Sequence, residues 1–470
     1  MTDTETTPAW QWLATEVAAS VRQGEISATE VTRQALTRLQ DVNPTLNAVV
    51  QVTEQDALQA AERVDAAVRD GRDPGPMAGV PVTVKVNIDQ QGYPNTNGLR
   101  LQQDKLAMAD HPVVTAFREA GAIIIGRTNT PAFSLRWFCR NSLHGETLNP
   151  VNSELTPGGS SGGAASATAA GIGAIGHGTD IAGSIRYPAY ACGIHGLRPS
   201  LGRVAAWNPS SADRFIAGQL MAVSGPLARS IDDVELSLRT MARADHRDPW
   251  HVPVPFEQPP YQRKVALCMT PEDWQVDEQV KATVENAAQE LQRAGWQVEE
   301  VDCPSIRDAA SMNLMLWMAE MESAGVELVE KENDPDANLV FARLCAKTTS
   351  PDAAQLQGVM QERAALIRQW QAFLSEYPVM LGPVSGQLPF DNHADVADDT
   401  SFDRVFDAQL MQIGLPLLGL PGLTVSTGSV NNRPTGVQLV ANRFREDVLL
   451  DVGRDLEAVY GIRPVATAQT

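Results

Sequence analysis

From Thr156 to Gly193 the chain reads TPGGSSGGAASATAAGIGAIGHGTDIAGSIRYPAYACG. Between Pro157 and Ile172 no side chain is larger than threonine. Gly- and Ser-rich runs usually serve as flexible linkers. This one is interleaved with Ala, Ile, Tyr and Cys, which belong in packed interior. GGAASATAAG has moderate helix propensity and no bulk, so it predicts a buried helix lying flush against its neighbours. Gly158 and Gly159 permit backbone conformations that other residues resist, so they hold the hydroxyl of Ser160 on a tight turn. A second tight segment, TDIAGSIR, carries Ser184. One helix followed by a turn brings both serines to the same end of a sheet.

The rest of the chain supplies that sheet. LNAVVQV and GVPVTVKVNI read as strands, HPVVTAFREAGAIIIGRTNT (His111–Thr130) as helix then buried strand, and helical patterns over Trp10–Gln23 and Ala57–Val68 alternate with them. SATE places a capping box at Ser27 and Glu30, with Val31, Ala35 and Leu39 on one helical face, ending before Asn43-Pro44. KVALCMTP, WQVEEVD, YPVMLGP, GLTVSTG and GVQLVA are further strands. Helices are expected over Asp277–Ala294 and EDVLLDVGRDLEAVYG. Pro199–Arg229 has little periodicity and is expected to cross the surface. Ile413–Val425, broken by Pro416 and Pro421, is expected to be buried strand and loop. The alternation predicts an α/β fold with a largely buried sheet. Composition does not shift sharply, so residues 1–470 read as one large domain with a mostly helical excursion near 305–375.

Charge and cysteine usage exclude several classes. Hydrophobic residues make up 43% and charged residues 20%, an ordinary globular balance. A net charge of −20 argues against a nucleic-acid partner, which needs clustered Lys and Arg. The five cysteines are scattered, with no CxxC pair, which predicts reduced thiols, a cytoplasmic protein and no disulfide framework. His144, His177 and His195 are too dispersed for a metal site, so no metal is expected. The acidic, polar start is unlike a signal peptide, and no apolar run is long enough to span a membrane.

A serine nucleophile needs a base. PVTVKVNI sets Lys85 among valines, where burial disfavours the charged amine. A neutral lysine can take a proton from Ser160, which can take one from Ser184. The N–H groups of Ile181, Ala182, Gly183 and Ser184 then suit an oxyanion hole for acyl transfer.

GGSSGG, GTDIAGSIRYP and CGIHGLRPS, with VPVTVKVNID upstream, together resemble the amidase signature family. GLPLLGLPG and RPTGVQLVANRFREDVLL resemble that family's closing segment, so the likeness covers nearly the whole chain. The resemblance implies a large mixed sheet with helices on both faces and hydrolysis of amides through an acyl-enzyme, without metal or organic cofactor. It assigns Ser184 as nucleophile, Ser160 as the serine after a cis peptide bond, and Lys85 as base. Ser161, Asp180 and Arg186 are expected to brace the site. Three positions depart from the family pattern. Val86 replaces a frequent acidic residue, Ala182 a glycine, and His177 an apolar residue.

Substrate class is read from the apolar residues nearby. Phe133 and Trp137 lie in PAFSLRWF, Tyr187 directly follows GSIR, and Asn141 lies in the next loop. All four are expected at the pocket. SMNLMLWMAEM, Ser311–Met321, is either core or a wall of an apolar tunnel. These features favour an uncharged hydrophobic or aryl amide, including anilides and carbamates. The expected partner is that small molecule alone, with the protein a monomer or homodimer. The amidase component of a glutamine-dependent tRNA amidotransferase resembles the same pattern, but commonly has Gln where this chain has Tyr187. A non-catalytic scaffold would have no need of Lys85, Ser160 and Ser184 together.

Overall fold

Along the central strands, neighbouring residues enter different apolar clusters. On the strand Val379–Pro383, Val379 and Leu381 join one cluster and Met380 the other. Val265 and Ala266 divide the same way, as do Leu439 and Val440. Side chains alternate faces with period two, so both faces of the sheet are buried. The computed structural model describes residues 7–466.

The strands in chain order are β1 (Val49–Val52), β2 (Pro81–Lys85), β3 (Ile123–Thr128), β4 (Arg140–Asn141), β5 (Gly145–Glu146), β6 (Ile175–Asp180) and β7 (His195–Arg198). They continue with β8 (Val223–Ala228), β9 (Lys264–Leu267), β10 (Gln297–Glu300), β11 (Val379–Pro383), β12 (Gly422–Val430) and β13 (Arg433–Ala441). Eleven form one mixed sheet in the order β1-β3-β2-β6-β8-β7-β12-β13-β11-β9-β10, and β4 pairs with β5 apart from it. One face packs against helices Ala14–Gln23, Ala28–Leu46 and Glu446–Tyr460 through residues such as Val17, Leu39 and Leu449. The other packs against Arg307–Glu320, Ala353–Glu376 and Leu410–Leu418 through Leu316, Trp370 and Ile413. The fold is the expected α/β architecture, a large mixed central sheet covered by helices on both faces.

The small-residue segment forms the helix Gly162–Ala169, with every residue buried. A Cβ on Gly163 would lie 2.5 Å from Asn129 N and 2.7 Å from Ala48 O. Those are backbone atoms, so nothing can move aside, and the flush packing requires glycine here.

Three local expectations are corrected. The second helix does not stop before Asn43-Pro44 but runs to Leu46 with Pro44 inside it. Asn43 Oδ1 accepts from the N–H groups of Ala48 and Val49, and Asn47 closes the turn at φ 48°. Leu410–Leu418 is a helix containing Pro416, with β12 starting only at Gly422. All nine of its residues are buried, and an evenly apolar run does not by its period separate strand from helix. Pro199–Arg229 is not merely a surface crossing, because it contains β8, a fully buried strand between β6 and β7.

Candidate active site

Lys85 ends β2, between β3 and β6, and is fully buried. Its Nζ lies 2.6 Å from Ser160 Oγ, 3.1 Å from Ser161 Oγ and 3.0 Å from Thr179 Oγ1. The hydrogens of this cluster can be assigned in part. Ser161 Oγ donates to Thr179 O, so it accepts from Lys85, and Thr179 Oγ1 also accepts from Asn87 Nδ2. A neutral amine has two hydrogens and one lone pair. Directing the hydrogens at Ser161 and Thr179 leaves the lone pair for the hydroxyl of Ser160, at the shortest of the three distances. Burial lowers the Lys85 pKa to about 7, against weak opposition from Cys139 and Asp180. Near neutral pH a large fraction is therefore the free base.

His177 stands beside the lysine on β6. Its Nδ1 accepts from Lys85 N at 3.4 Å and its Nε2 lies 3.0 Å from Ser224 Oγ. Burial, reinforced by the positive charges around it, holds its pKa well below the usual histidine value, so it adds no charge next to Lys85.

Ser160 follows a cis peptide bond at Gly159. Ser161 N–H donates to Ser184 O at 3.2 Å, tying the two serine turns together. Ser160 and Ser184 line one cavity. Among the described residues no hydrogen bond joins their hydroxyls.

The turn Ile181–Ser184 is braced from within by Asp180. Its Oδ1 accepts from Gly183 N at 2.9 Å and its Oδ2 from Ile185 N at 3.3 Å. Arg186 donates to both oxygens at 3.0 and 3.2 Å, and Arg198 Nη1 donates to Asp180 O at 2.6 Å. All three side chains are buried. Burial pushes the carboxyl pKa up, but Arg186 and Arg198 outweigh it and hold Asp180 at about 2. This bracing removes one of the four expected oxyanion donors, because the Gly183 N–H is engaged by Asp180. The N–H groups of Ile181, Ala182 and Ser184 have no partner among the described residues. Gly183 has φ 95°, and a Cβ there would meet Gln412 Cβ at 2.5 Å, so the turn needs glycine at this position.

The cavity beside Ser184 measures about 760 Å³. Ile88, Phe133, Trp207, Val223, Trp250 and Trp317 give it apolar walls. Its cations are matched within the protein. Arg247 binds Asp245 at 2.8 Å and lies over the Trp207 ring at 5.1 Å, and Arg214 faces Asp248 at 3.7 Å.

Of the four expected pocket residues, only Phe133 lines this cavity. Trp137 is buried, and its Nε1 donates to Ala182 O at 2.8 Å. Tyr187 is fully buried, and its hydroxyl accepts from Phe390 N at 3.3 Å. Asn141 is a loop brace, donating to Asn129 Oδ1 and Thr130 O. Each therefore has its polar end engaged away from the cavity. The helix carrying SMNLMLWMAEM divides between both readings, with Trp317 on the cavity and Met312 and Met318 in core. Thr179 reads from the sequence only as a possible helix cap, and Arg198 and the wall from Ala206 to Ser224 carry little signal there. Only the RPS following GL hinted at Arg198, and nothing periodic marked the wall.

A lysine, two serines and a turn whose Ile181, Ala182 and Ser184 N–H groups have no partner among the described residues are set at one end of a mixed sheet. The chain belongs to the amidase family, whose family model matches residues 30–450. It is an amidase, a hydrolase acting on amide C–N bonds. It is 41% identical over 466 residues to the indoleacetamide hydrolase of Bradyrhizobium diazoefficiens, covering 97% of this chain and 88% of that protein. Over 379 residues it is also 41% identical to the indoleacetamide hydrolase of Bradyrhizobium japonicum, covering 79% of this chain and 81% of that protein. Its fold matches that of a bacterial aryl acylamidase with a TM-score of 0.85 at 23% identity, covering 96% and 97%. Among the described residues no helix is long and apolar enough to cross a membrane.

Proposed function

We propose that this amidase hydrolyses the primary amide of an arylacetic acid whose ring is about the size of indole. The observation that carries the reading is the cavity itself, which Trp207, Trp250 and Trp317 line together with the serine that would be acylated. Aromatic pairs in offset or edge geometry are worth about 0.5–1.5 kcal/mol each beyond the area they bury. Arg214 and Arg247 are matched by acidic partners, which suits an uncharged substrate and leaves no free arginine for a carboxylate among the described residues of the lining. The 41% identity to an indoleacetamide hydrolase supports the same choice.

In this mechanism Ser184 Oγ attacks the amide carbon. Its proton passes to Ser160 as the proton of Ser160 passes to the lone pair of Lys85. The relay still needs a contact between the Ser184 and Ser160 hydroxyls, and such contacts often tighten only with substrate bound. The tetrahedral oxyanion is stabilised by N–H groups of the Ile181–Ser184 turn, each worth about 10²–10³ in rate. The C–N bond then breaks. The proton returns from Lys85 through Ser160 to the departing ammonia, leaving an ester on Ser184. Water attacks that ester through the same relay, releasing the acid and restoring the serine.

The test is a substrate panel on the isolated chain beside Ser184→Ala. It contains indole-3-acetamide, phenylacetamide, acetamide, glutamine, an aryl anilide and an aryl carbamate. The expected result is turnover led by the arylacetamides and lost in the variant. Turnover of glutamine alone, or of nothing until partner proteins are supplied, would overturn it in favour of an amidotransferase component. Leading turnover of the anilide or carbamate would keep the chemistry and replace the substrate class.

A further inference from the structure

Two carbonyls of the Ile181–Ser184 turn are held by side chains from outside it. Trp137 Nε1 donates to Ala182 O at 2.8 Å. Asn313 Nδ2 donates to Ile181 O at 3.0 Å and to Ile413 O at 2.6 Å. In a trans peptide unit the C=O of one residue and the N–H of the next point in opposite directions, and the one cis bond among the described residues lies at Gly159–Ser160. Fixing Ala182 O therefore sends the Gly183 N–H the other way, where it meets Asp180 Oδ1. By the same geometry, fixing Ile181 O sets the direction of the Ala182 N–H. That N–H has no partner among the described residues.

We infer that Asn313 is a positioning residue for the oxyanion hole, aiming the Ala182 N–H at the developing negative charge. Three observations fit. Asn313 is fully buried on a helix whose other buried residues are all apolar, where an amide is costly unless its bonds matter. Both of its N–H bonds go to backbone carbonyls, while its Oδ1 has no partner, so donation is what the site uses. Its second acceptor, Ile413, lies on the helix that also supplies Gln412, which packs against Gly183. One amide thus joins the helical excursion, the Leu410–Leu418 helix and the oxyanion turn.

The inference rests on Ser184 being the acylated serine. The test compares Asn313→Asp, which keeps the shape but loses the donors, with Asn313→Leu and Trp137→Phe. Steady-state rates are read on the fastest amide of the panel, together with inhibition by a matching aryl trifluoromethyl ketone and by the product acid. For both Asn313 variants kcat is expected to fall about 10–100-fold, less than the roughly 10²–10³ for a donor removed outright, because the Ala182 N–H is misaimed and not deleted. KM and product inhibition should stay within about threefold, and ketone affinity should fall in step with kcat/KM, as for an interaction made only in the transition state. Trp137→Phe should lower kcat less than about fivefold, since the N–H it orients is engaged by Asp180. Equal losses of ketone and product affinity, or an unchanged kcat in a folded Asn313→Asp, would overturn the inference. Retained activity in Ser184→Ala would instead overturn the reading beneath it.

Discussion

The lysine corner and the cavity wall meet at Ser184 and are built on different principles. Around Lys85 the hydroxyls of Ser160, Ser161 and Thr179 are joined to the amine by hydrogen bonds, and the buried charges of Asp180, Arg186 and Arg198 close on one another. The wall formed by Phe133, Trp207, Trp250 and Trp317 comes from loops and one helix, with Trp250 exposed, the other three rings half-buried, and few hydrogen bonds. In the corner, satisfaction of hydrogen bonds dictates geometry, so a change there strikes turnover or folding. In the wall, shape and apolar area dictate fit, so a change there strikes substrate affinity.

The sharpest way to break the comparison is in the corner. Asp180→Asn keeps the shape but removes the charge that two buried guanidiniums face. Removing one partner of a buried ion pair costs about 3–5 kcal/mol, so thermal and urea unfolding should both shift strongly downward. A loss under about 1 kcal/mol, against the several expected for such a pair, would show that the network is dispensable. A smaller effect is expected in the wall. Trp207→Ala should raise KM for indole-3-acetamide about tenfold with kcat within about threefold, the size of one lost aromatic contact. Acetamide, too small to reach that ring, should be unaffected. Equal effects on both amides would mean that Trp207 supports the fold and not the substrate.

The two regions also differ in how legible they are in the sequence. Lys85, Ser160 and Ser184 stand out because proton transfer at a serine demands particular residue types, and tight turns demand glycines beside them. The small-residue helix is legible for the same steric reason. Of the wall, Phe133 and the stripe bearing Trp317 are legible, but Trp207 and Trp250 are not, because they lie in segments with no helical or strand period and gain meaning only once the fold sets them on the cavity. Trp137, Tyr187 and Asn141 mislead in the opposite direction. Each is of a residue type suited to a pocket, but each has a polar group that finds a backbone partner elsewhere. Pro44 and Pro416 suggest breaks, yet one helix runs on to the turn that Asn43 and Asn47 close and the other is carried through by burial of all its residues. Asn313 lies in plain view inside a Met- and Trp-rich stripe, where the apolar residues draw the eye.

The central claim is that a neutral Lys85 drives the chemistry, and the pH dependence of kcat/KM between pH 5 and 9 tests it most directly. With a folded-state pKa of about 7, the amine carries a proton below that value and cannot accept another. The account predicts a rate that is flat above about pH 8 and falls tenfold per unit well below pH 7, with a single step. A rate that stays level down to pH 5, on enzyme shown to be folded throughout, would contradict it.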